Sequence, residues 1–376
     1  LKFGADYLIK ERDAAEVEFD ISGGLVDEPD PDPGAIYAIR ETRLEPFVRA
    51  TFELSEALTL DLGLRYETIE REVTSDLGTV TSDSSELFPS AHLVWSPTAH
   101  DQLRASFART RRRPDYSHLA PYLADEEPGD EDALQGNPAL ESEFADGFDL
   151  GYERRIGARG VFGLNLFHRR IANLIELVDT GREVNEDGDR PAPGDEVYNL
   201  FEPRNIGEGT TWGVEVDFSA PLDFVGLPDT GVFFNYTWLE SQVTDPWTGA
   251  ERRFRNQPSN VYNIGFIQNL PRLDASFGAS LYGRDTGQES GLDELVEVSY
   301  DADLEAFVEK RFGDRVVVRL SAINLLDKEK RETYWKYDGD SVAEILENRA
   351  SGDLDEFERE RERSGILYQL TMRAAF

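Results

Sequence analysis

The stretch NPALESEFADGFDLGYERRIGARGVFGLNLFHRRI, Asn137–Ile171, decides the fold. It opens on a polar lead-in. Phe148, Leu150 and Tyr152 then alternate with Asp149, Gly151 and Glu153. A tight turn follows at Ile156–Gly160, after which Phe162, Leu164 and Leu166 alternate with Gly163 and Asn165. Period two places each set on one face of a strand. Two such strands on a short turn make a hairpin whose arms are long for a soluble protein.

The pattern recurs along the chain. Leu58, Leu60, Leu62, Leu64 and Tyr66 enclose Thr59, Asp61, Gly63 and Arg65. Trp212, Val214, Val216 and Phe218 alternate with Gly213, Glu215 and Asp217, and Tyr368, Leu370, Met372, Ala374 and Phe376 with Gln369, Thr371, Arg373 and Ala375. Fourteen runs read this way: 1–20, 43–55, 57–74, 86–96, 102–112, 143–156, 160–176, 205–221, 230–243, 258–270, 273–287, 297–312, 315–327 and 364–376. Their connections alternate between short and long. The short ones lie at Ser55–Glu56, Pro97–Asp101, Ile156–Gly160, Leu222–Asp229, Pro271–Arg272 and Gly313–Asp314, and the long ones at 21–42, 75–85, 113–142, 177–204, 244–257, 288–296 and 328–363. A soluble sandwich has no reason to keep its long loops at one end. An outer-membrane barrel has short periplasmic turns and long extracellular loops, and its closed ladder pairs every backbone group that lipid cannot solvate. The fold class is therefore all-β, the wall of an antiparallel transmembrane β-barrel with about 14 strands.

Composition agrees. Of 376 residues, 39% are hydrophobic and 30% charged, with no long apolar run of the kind a membrane helix needs. Transmembrane strands need only about 9–11 residues with every second one polar, so mean hydropathy does not register them. The net charge of -36, from 75 acidic and 39 basic residues, excludes nucleic acid as a partner, which demands a basic footprint. Cysteine is absent, which excludes disulfides and thiolate metal sites. The sequence begins at Leu1 and reads as part of something longer or as a processed product.

The acidic residues gather in the long loops, as in DEPDPDPG (Asp27–Gly34), ADEEPGDEDA (Ala124–Ala133), NEDGDRPAPGDE (Asn185–Glu196) and DLDEFERERER (Asp353–Arg363). Turn formers dominate the first three, and the last reads as a short surface helix. Strand charges such as Glu45, Arg49, Glu53, Asp149, Glu153 and Arg319 cannot face lipid cheaply and should line a polar or plugged interior. Aromatic residues near run ends, among them Tyr66, Trp95, Tyr152, Trp238, Tyr282 and Phe312, fit girdles at the two membrane interfaces.

Four segments resemble one family. GNPALESEFADGFDLGYERR (Gly136–Arg155) resembles the Asn-Pro-x-Leu-x-x-Glu lead into a barrel strand of TonB-dependent outer-membrane receptors. NIGEGTTWGVEVDFSAPL (Asn205–Leu222) resembles that family's Asn-x-Gly…Gly-Val-Glu strand, and VRLSAINLLDKEK (Val318–Lys330) its penultimate strand. LYQLTMRAAF, ending in Phe376, is similar to the C-terminal strand read by the barrel-assembly machinery. The resemblance spans the chain and implies a barrel of about 22 strands around a plug. Residues 1–376 would then be the C-terminal portion of that barrel. About eight strands, the plug and the TonB box that contacts the inner-membrane motor would lie outside them, in the same chain or a separate one.

The resemblance implies capture of a scarce extracellular substrate and its TonB-energised import across the outer membrane of a Gram-negative cell, with lipid around the wall and no enzymatic activity. A passive channel closed by its own fourteen strands is the alternative. His92, His100, His118 and His168 form no HExxH or metal-spaced pair, and no GxSxG elbow occurs. No cofactor is expected beyond a structural calcium at Asn185, Asp187 and Asp189, whose spacing is somewhat like a calcium loop. For substrate, Tyr116, Tyr122, Trp247, Tyr334, Trp335 and Tyr337 offer stacking surfaces in the loops. Arg111, Arg112 and Arg113 offer a basic triplet at a strand top. Arg49, Arg65, Glu215 and Asp217 are expected to face the plug in the lumen. Substrate identity stays open, because loops decide it.

Overall fold

Alternating residues satisfy their backbone only when a neighbouring strand pairs with them, and here the neighbour is always the next wall strand in sequence. The computed structural model describes residues 1–15, 21–22, 25–26, 34–125, 132–185, 190–194, 197–339 and 341–374. The wall is an antiparallel meander of fourteen strands. These are β1 (Lys2–Ala15), β2 (Ile36–Ser55), β3 (Leu58–Ser75), β4 (Gly78–Trp95), β5 (Asp101–Arg112), β6 (Glu143–Ile156) and β7 (Gly160–Ala172). They continue with β8 (Gly209–Leu222), β9 (Leu227–Thr244), β10 (Asn260–Leu270), β11 (Ala275–Arg284), β12 (Asp303–Phe312), β13 (Val316–Ile323) and β14 (Leu367–Ala374). Among the described residues no ladder joins β1 to β14, so each has one open edge.

The register converts the sequence alternation into two faces. One row runs Phe52, Leu60, Leu93, Ala105, Leu150, Leu166, Val214 and Trp238 across eight strands. Another runs Phe277, Val308, Leu320 and Leu370. Phe52, Leu150 and Leu320 are 46%, 51% and 46% exposed. A belt of this extent is not left to water, and it matches the apolar band that lipid covers on a barrel. The opposite face carries paired charges. Arg49 meets Asp61 at 2.6 Å, Arg169 meets Asp149 at 2.7 Å, and Asn165 donates to Glu215 at 3.1 Å. Small residues let the wall close up. A Cβ on Gly213 would come within 2.3 Å of the Trp238 carbonyl oxygen, and one on Gly265 within 2.6 Å of that of Ala279.

Beyond the wall, the long connections build two four-stranded sheets and one small ladder of Ile21–Ser22 with Leu25–Val26. The first orders Ile175–Val184, Tyr198–Asn205, Asp132–Gln135 and Leu123–Asp125, and the second Gly287–Ser290, Glu294–Tyr300, Glu329–Lys336 and Glu356–Arg363. Helix α1 (Tyr116–Leu119) lies in the 113–142 connection and α2 (Val342–Ser351) in the last one. The largest buried cluster sits at the junction of wall and caps. It unites Tyr37, Ile39 and Val73 of β2 and β3 with Leu119, Ala120, Leu140 and Ile175.

Several sequence expectations are corrected. The stretch 75–85 is not a long loop, because β3 and β4 continue to a turn at Asp76–Leu77. The 78–85 half of β4 is mostly polar and almost wholly exposed, so hydrophobic period does not mark it. β2 begins at Ile36, inside the expected 21–42 loop, with Tyr37 and Ile39 buried under α1. The run 297–312 breaks at Asp301–Ala302, and its first part joins the second cap sheet. The expected helix in Asp353–Arg363 is the strand Glu356–Arg363, paired with Glu329–Lys336. The helix lies just before it, from the Ser341 cap, whose hydroxyl accepts from the Glu344 N–H, to Gly352 at φ 74°. Phe376 lies outside the described residues.

Candidate functional site

β4 pairs with β3 over its whole length, but with β5 only from Ser90–Ala108 down to Trp95–Leu103. Above that level the wall splits, and arginines of β5 bridge the split. Arg109 takes Asp146 in a two-pronged bond at 2.7 and 2.8 Å and reaches Glu86 at 3.0 Å. Arg111 Nη1 donates to Glu67 at 2.7 Å, as does Arg113 Nη2. Glu45 accepts from Arg65 at 2.7 Å and lies 3.5 Å from Arg43 and Arg113. The Arg111 guanidinium is held between the rings of Phe88 and Phe144, 5.3 and 4.9 Å from their centroids. Its Nε and Nη2 are buried without a hydrogen-bond partner. The ring faces and Glu67 offset that loss, since a desolvated cation over an aromatic face gains about 2 kcal/mol.

Beside this network lies a cavity of about 490 Å³ lined by Arg43, Arg49, Arg65, Arg109, Arg111 and Arg113 with Glu45 and Glu67. The structure thus brings the expected lumen residues Arg49 and Arg65 together with Arg111 and Arg113. It separates Arg112, which pairs with Glu143 at 3.4 Å. Glu215 and Asp217 line a different cavity, with Arg104, Asp149 and Glu153. Glu67, Phe88 and Phe144 were missed by sequence reasoning, and Glu45 was read only as an interior-facing strand charge. Glu45 shares the parity of Arg49, and Glu67 that of Arg65, so the common face of each pair was readable. The split that draws Arg111 in was not.

The 113–142 connection is packed into place. Leu119 and Leu140 are fully buried, and Arg71 Nη2 donates to the Leu140 carbonyl at 2.5 Å. Tyr122 stacks on Tyr37 at 5.9 Å, and Tyr116 packs on the same cluster. Burial, then the neighbouring Glu41, pushes the Tyr116 hydroxyl pKa up. The family-like motif residues are clips. Asn137 accepts from the Ala139 N–H at 3.0 Å and donates to the Pro203 carbonyl at 3.1 Å. Asn205 accepts from the Glu141 N–H and donates to the carbonyls of Glu141 and Asn173. Glu143 accepts from the Ile175 N–H at 2.6 Å.

A second recess, of about 390 Å³, opens between the 245–253 turn and the second cap sheet. Trp335, Tyr337 and Leu295 form its apolar side, and Arg252, Arg253 and Arg349 its basic side. Arg349 spends its donors on the carbonyls of Gly291 and Leu292 and on Ser290 Oγ. Arg252 is already neutralised by Glu176 at 2.5 Å and Asp245 at 2.9 Å. Burial pushes the Asp245 carboxyl up, but the Thr248 N–H, then Arg252, hold it net below the ordinary range. Trp247 packs near Gly181, and Tyr334 lies on the opposite face of its strand from Trp335. Sequence reasoning missed the three arginines of this recess, which come from two separate connections. Asn185 is described, whereas Asp187 and Asp189 lie outside the described residues, so their expected calcium loop has no geometry here.

A family model described as TonB dependent receptor-like, beta-barrel, matches residues 1–325. No curated protein sequence matches significantly. Among solved structures, the ferric citrate transporter FecA in its unliganded form superposes with a TM-score of 0.67 at 14% identity, covering 99% of this chain and 50% of FecA. The ferric-catecholate import receptor Fiu from K12 E. coli gives 0.63 at 12% identity, covering 100% and 51%. The siderophore receptor PirA from Acinetobacter baumannii gives 0.55 at 16% identity, covering 100% and 60%. At these identities the likeness is one of fold, and this chain spans half to three-fifths of the length of those three. With 325 residues matched by the family model, the chain belongs to the TonB-dependent receptor-like β-barrel family.

Proposed function

We propose that this chain is the C-terminal wall and cap of an outer-membrane receptor that captures a scarce substrate for TonB-energised import. The observation that carries the reading is the pair of faces on the meander: an apolar belt for lipid and a charged, cavity-bearing face for a plug and substrate. The substrate is first held in the cap recess. Trp335 offers a stacking surface, with the largely buried Tyr337 on the same face, and Arg349 a cation with no carboxylate at ion-pair distance among the described residues, which suits a ligand with a flat ring and an anionic group. Arg49, Arg65, Glu215 and Asp217 touch the plug. The barrel-assembly machinery reads the strand ending in Phe376. The wall performs no covalent chemistry.

Cross-linking tests the reading in the cysteine-free chain. A cysteine at Thr371 of β14 is expected to cross-link to a strand outside this sequence. A cross-link to β1 would establish the self-closed channel instead. Uptake that persists without the proton gradient would also exclude the energised mechanism. Trp335→Ala should weaken substrate binding without removing the receptor from the membrane.

A further inference from the structure

The split in the wall leaves one edge of β4 unpaired. Below Ser90 that edge is bonded to β5, and at Glu86 it is bridged by Arg109. From Gly78 to Ser85 no described strand pairs with it, although β3 pairs with its other edge throughout. Eight residues at about 3.3 Å each give an open edge of roughly 26 Å. Such an edge is a template for an added strand. It stands in the half of the hairpin remote from the short turns, so it projects beyond the belt.

The charges on this hairpin specify what would fit. Glu70 and Asp83 lie directly opposite each other on one face, and both are exposed. Neither has a hydrogen bond or ion pair among the described residues. Like charges directly opposite destabilise a ladder, and a cation on the next strand beside Asp83 would remove that repulsion. Glu72 lies two residues from Glu70 on the same face. The other face of the open edge carries Val80, Ser82 and Ser84, with Arg71 held 3.3 Å from Ser82 Oγ. Leu77 and Val80 at the tip are exposed apolar groups. A second copy of this edge would bring more carboxylate and is disfavoured.

We infer that Gly78–Ser85 is a docking edge for an extended cationic segment of a partner polypeptide, which adds as a strand beside β4 with a lysine or arginine against Asp83. The inference stands apart from the transport reading, since it needs only the hairpin and its exposure.

The full receptor in detergent micelles tests it with a synthetic peptide alternating lysine with valine. Hydrogen exchange of amides within Thr79–Ser85 is expected to slow on binding. Asp83→Lys should weaken the peptide by about tenfold, equivalent to about 1.4 kcal/mol, and should favour a matched peptide with glutamate in place of lysine. Asp83 is exposed and unpaired, so the variant should fold, and its exchange elsewhere checks this. Three outcomes would overturn the inference. The edge amides could prove protected before peptide is added, which would mean the receptor's own residues cover them. The peptide could bind with protection elsewhere only. Asp83→Lys could leave both peptides unchanged.

Discussion

Arg111 and Glu67 meet at 2.7 Å across the split between β4 and β5, with side chains only 2% and 5% exposed. Removing one partner leaves a buried charge, which costs about 3–5 kcal/mol, whereas replacing both with apolar residues of similar size is far milder. Glu67→Gln should therefore lower the unfolding temperature of the receptor clearly. Glu67→Leu combined with Arg111→Met should recover much of the loss. A double variant worse than the single would refute the pairing as the source.

The two faces of β7 give opposite responses to the same substitution. Leu166→Arg places a charge on the apolar belt and should cost about 2–4 kcal/mol at the midplane. Asn165→Arg, one residue away, faces Glu215 and should be tolerated. Chemical unfolding of the two variants in lipid bilayers checks this. Equal effects would mean the belt is misassigned.

Gly213→Ala should disturb β8 and β9 more than an exposed glycine replacement does. The added carbon would meet the Trp238 carbonyl and the Phe167 ring inside normal contact distance, at 2.3 and 2.7 Å. The Trp238 oxygen is backbone and cannot swing aside. The yield of heat-resistant folded barrel is the measurement, with Gly231→Ala in β9, where an added carbon would come no nearer than 4.0 Å to the Ile267 carbonyl oxygen, as the control for assembly in general.

Asp179 and Asp293 make the contact between the two cap sheets pH-dependent. Asp179 accepts from the Gly181 N–H at 2.7 Å and the Leu292 N–H at 3.3 Å, while Asp293 accepts from Asn199 at 3.5 Å. Burial pushes both carboxyls up, and for Asp293 the charge of Asp179 adds to it against Lys336 and Arg349. A raised carboxyl pKa favours the docked form below the ordinary carboxylate range, and that advantage is lost as pH rises through the docked value. Amide exchange around Leu292 should thus be slower near about pH 4.5 than near about pH 7.5 after correction for intrinsic rates. Asp293→Asn should flatten the difference.

The wall was legible because lipid imposes one rule on every strand: apolar outward, polar inward. Leu58–Tyr66 and Thr211–Ala220 obey it residue by residue, and fourteen runs in sequence correspond to fourteen wall strands. Where lipid stops, the rule stops. Glu356–Arg363 alternates glutamate with arginine, a period in charge sign that a hydrophobic reading passes over, and both residues favour helices in isolation. Pairing with Glu329–Lys336 overrides that preference. The true helix had a readable signal in Ser341, Glu344 and Gly352. The site residues divide in the same way. Arg49 and Arg65 share the parity of the inner face, so their placement followed from counting. Arg111 lies beside Phe88 and Glu67 because a ladder ends at Ser90, and nothing local in the sequence marks where a ladder ends.

Since every wall strand pairs with the strands before and after it in the meander, the wall can grow by adding one hairpin at a time to a finished edge. Each addition closes a loop no longer than one connection, and the entropic cost of a loop rises only slowly with its length. The open edges of β1 and β14 are the exception. In the proposed larger barrel β1 joins its neighbour locally, but β14 must meet a strand from across the whole barrel, so the final seam, rather than any hairpin, is where assembly should wait.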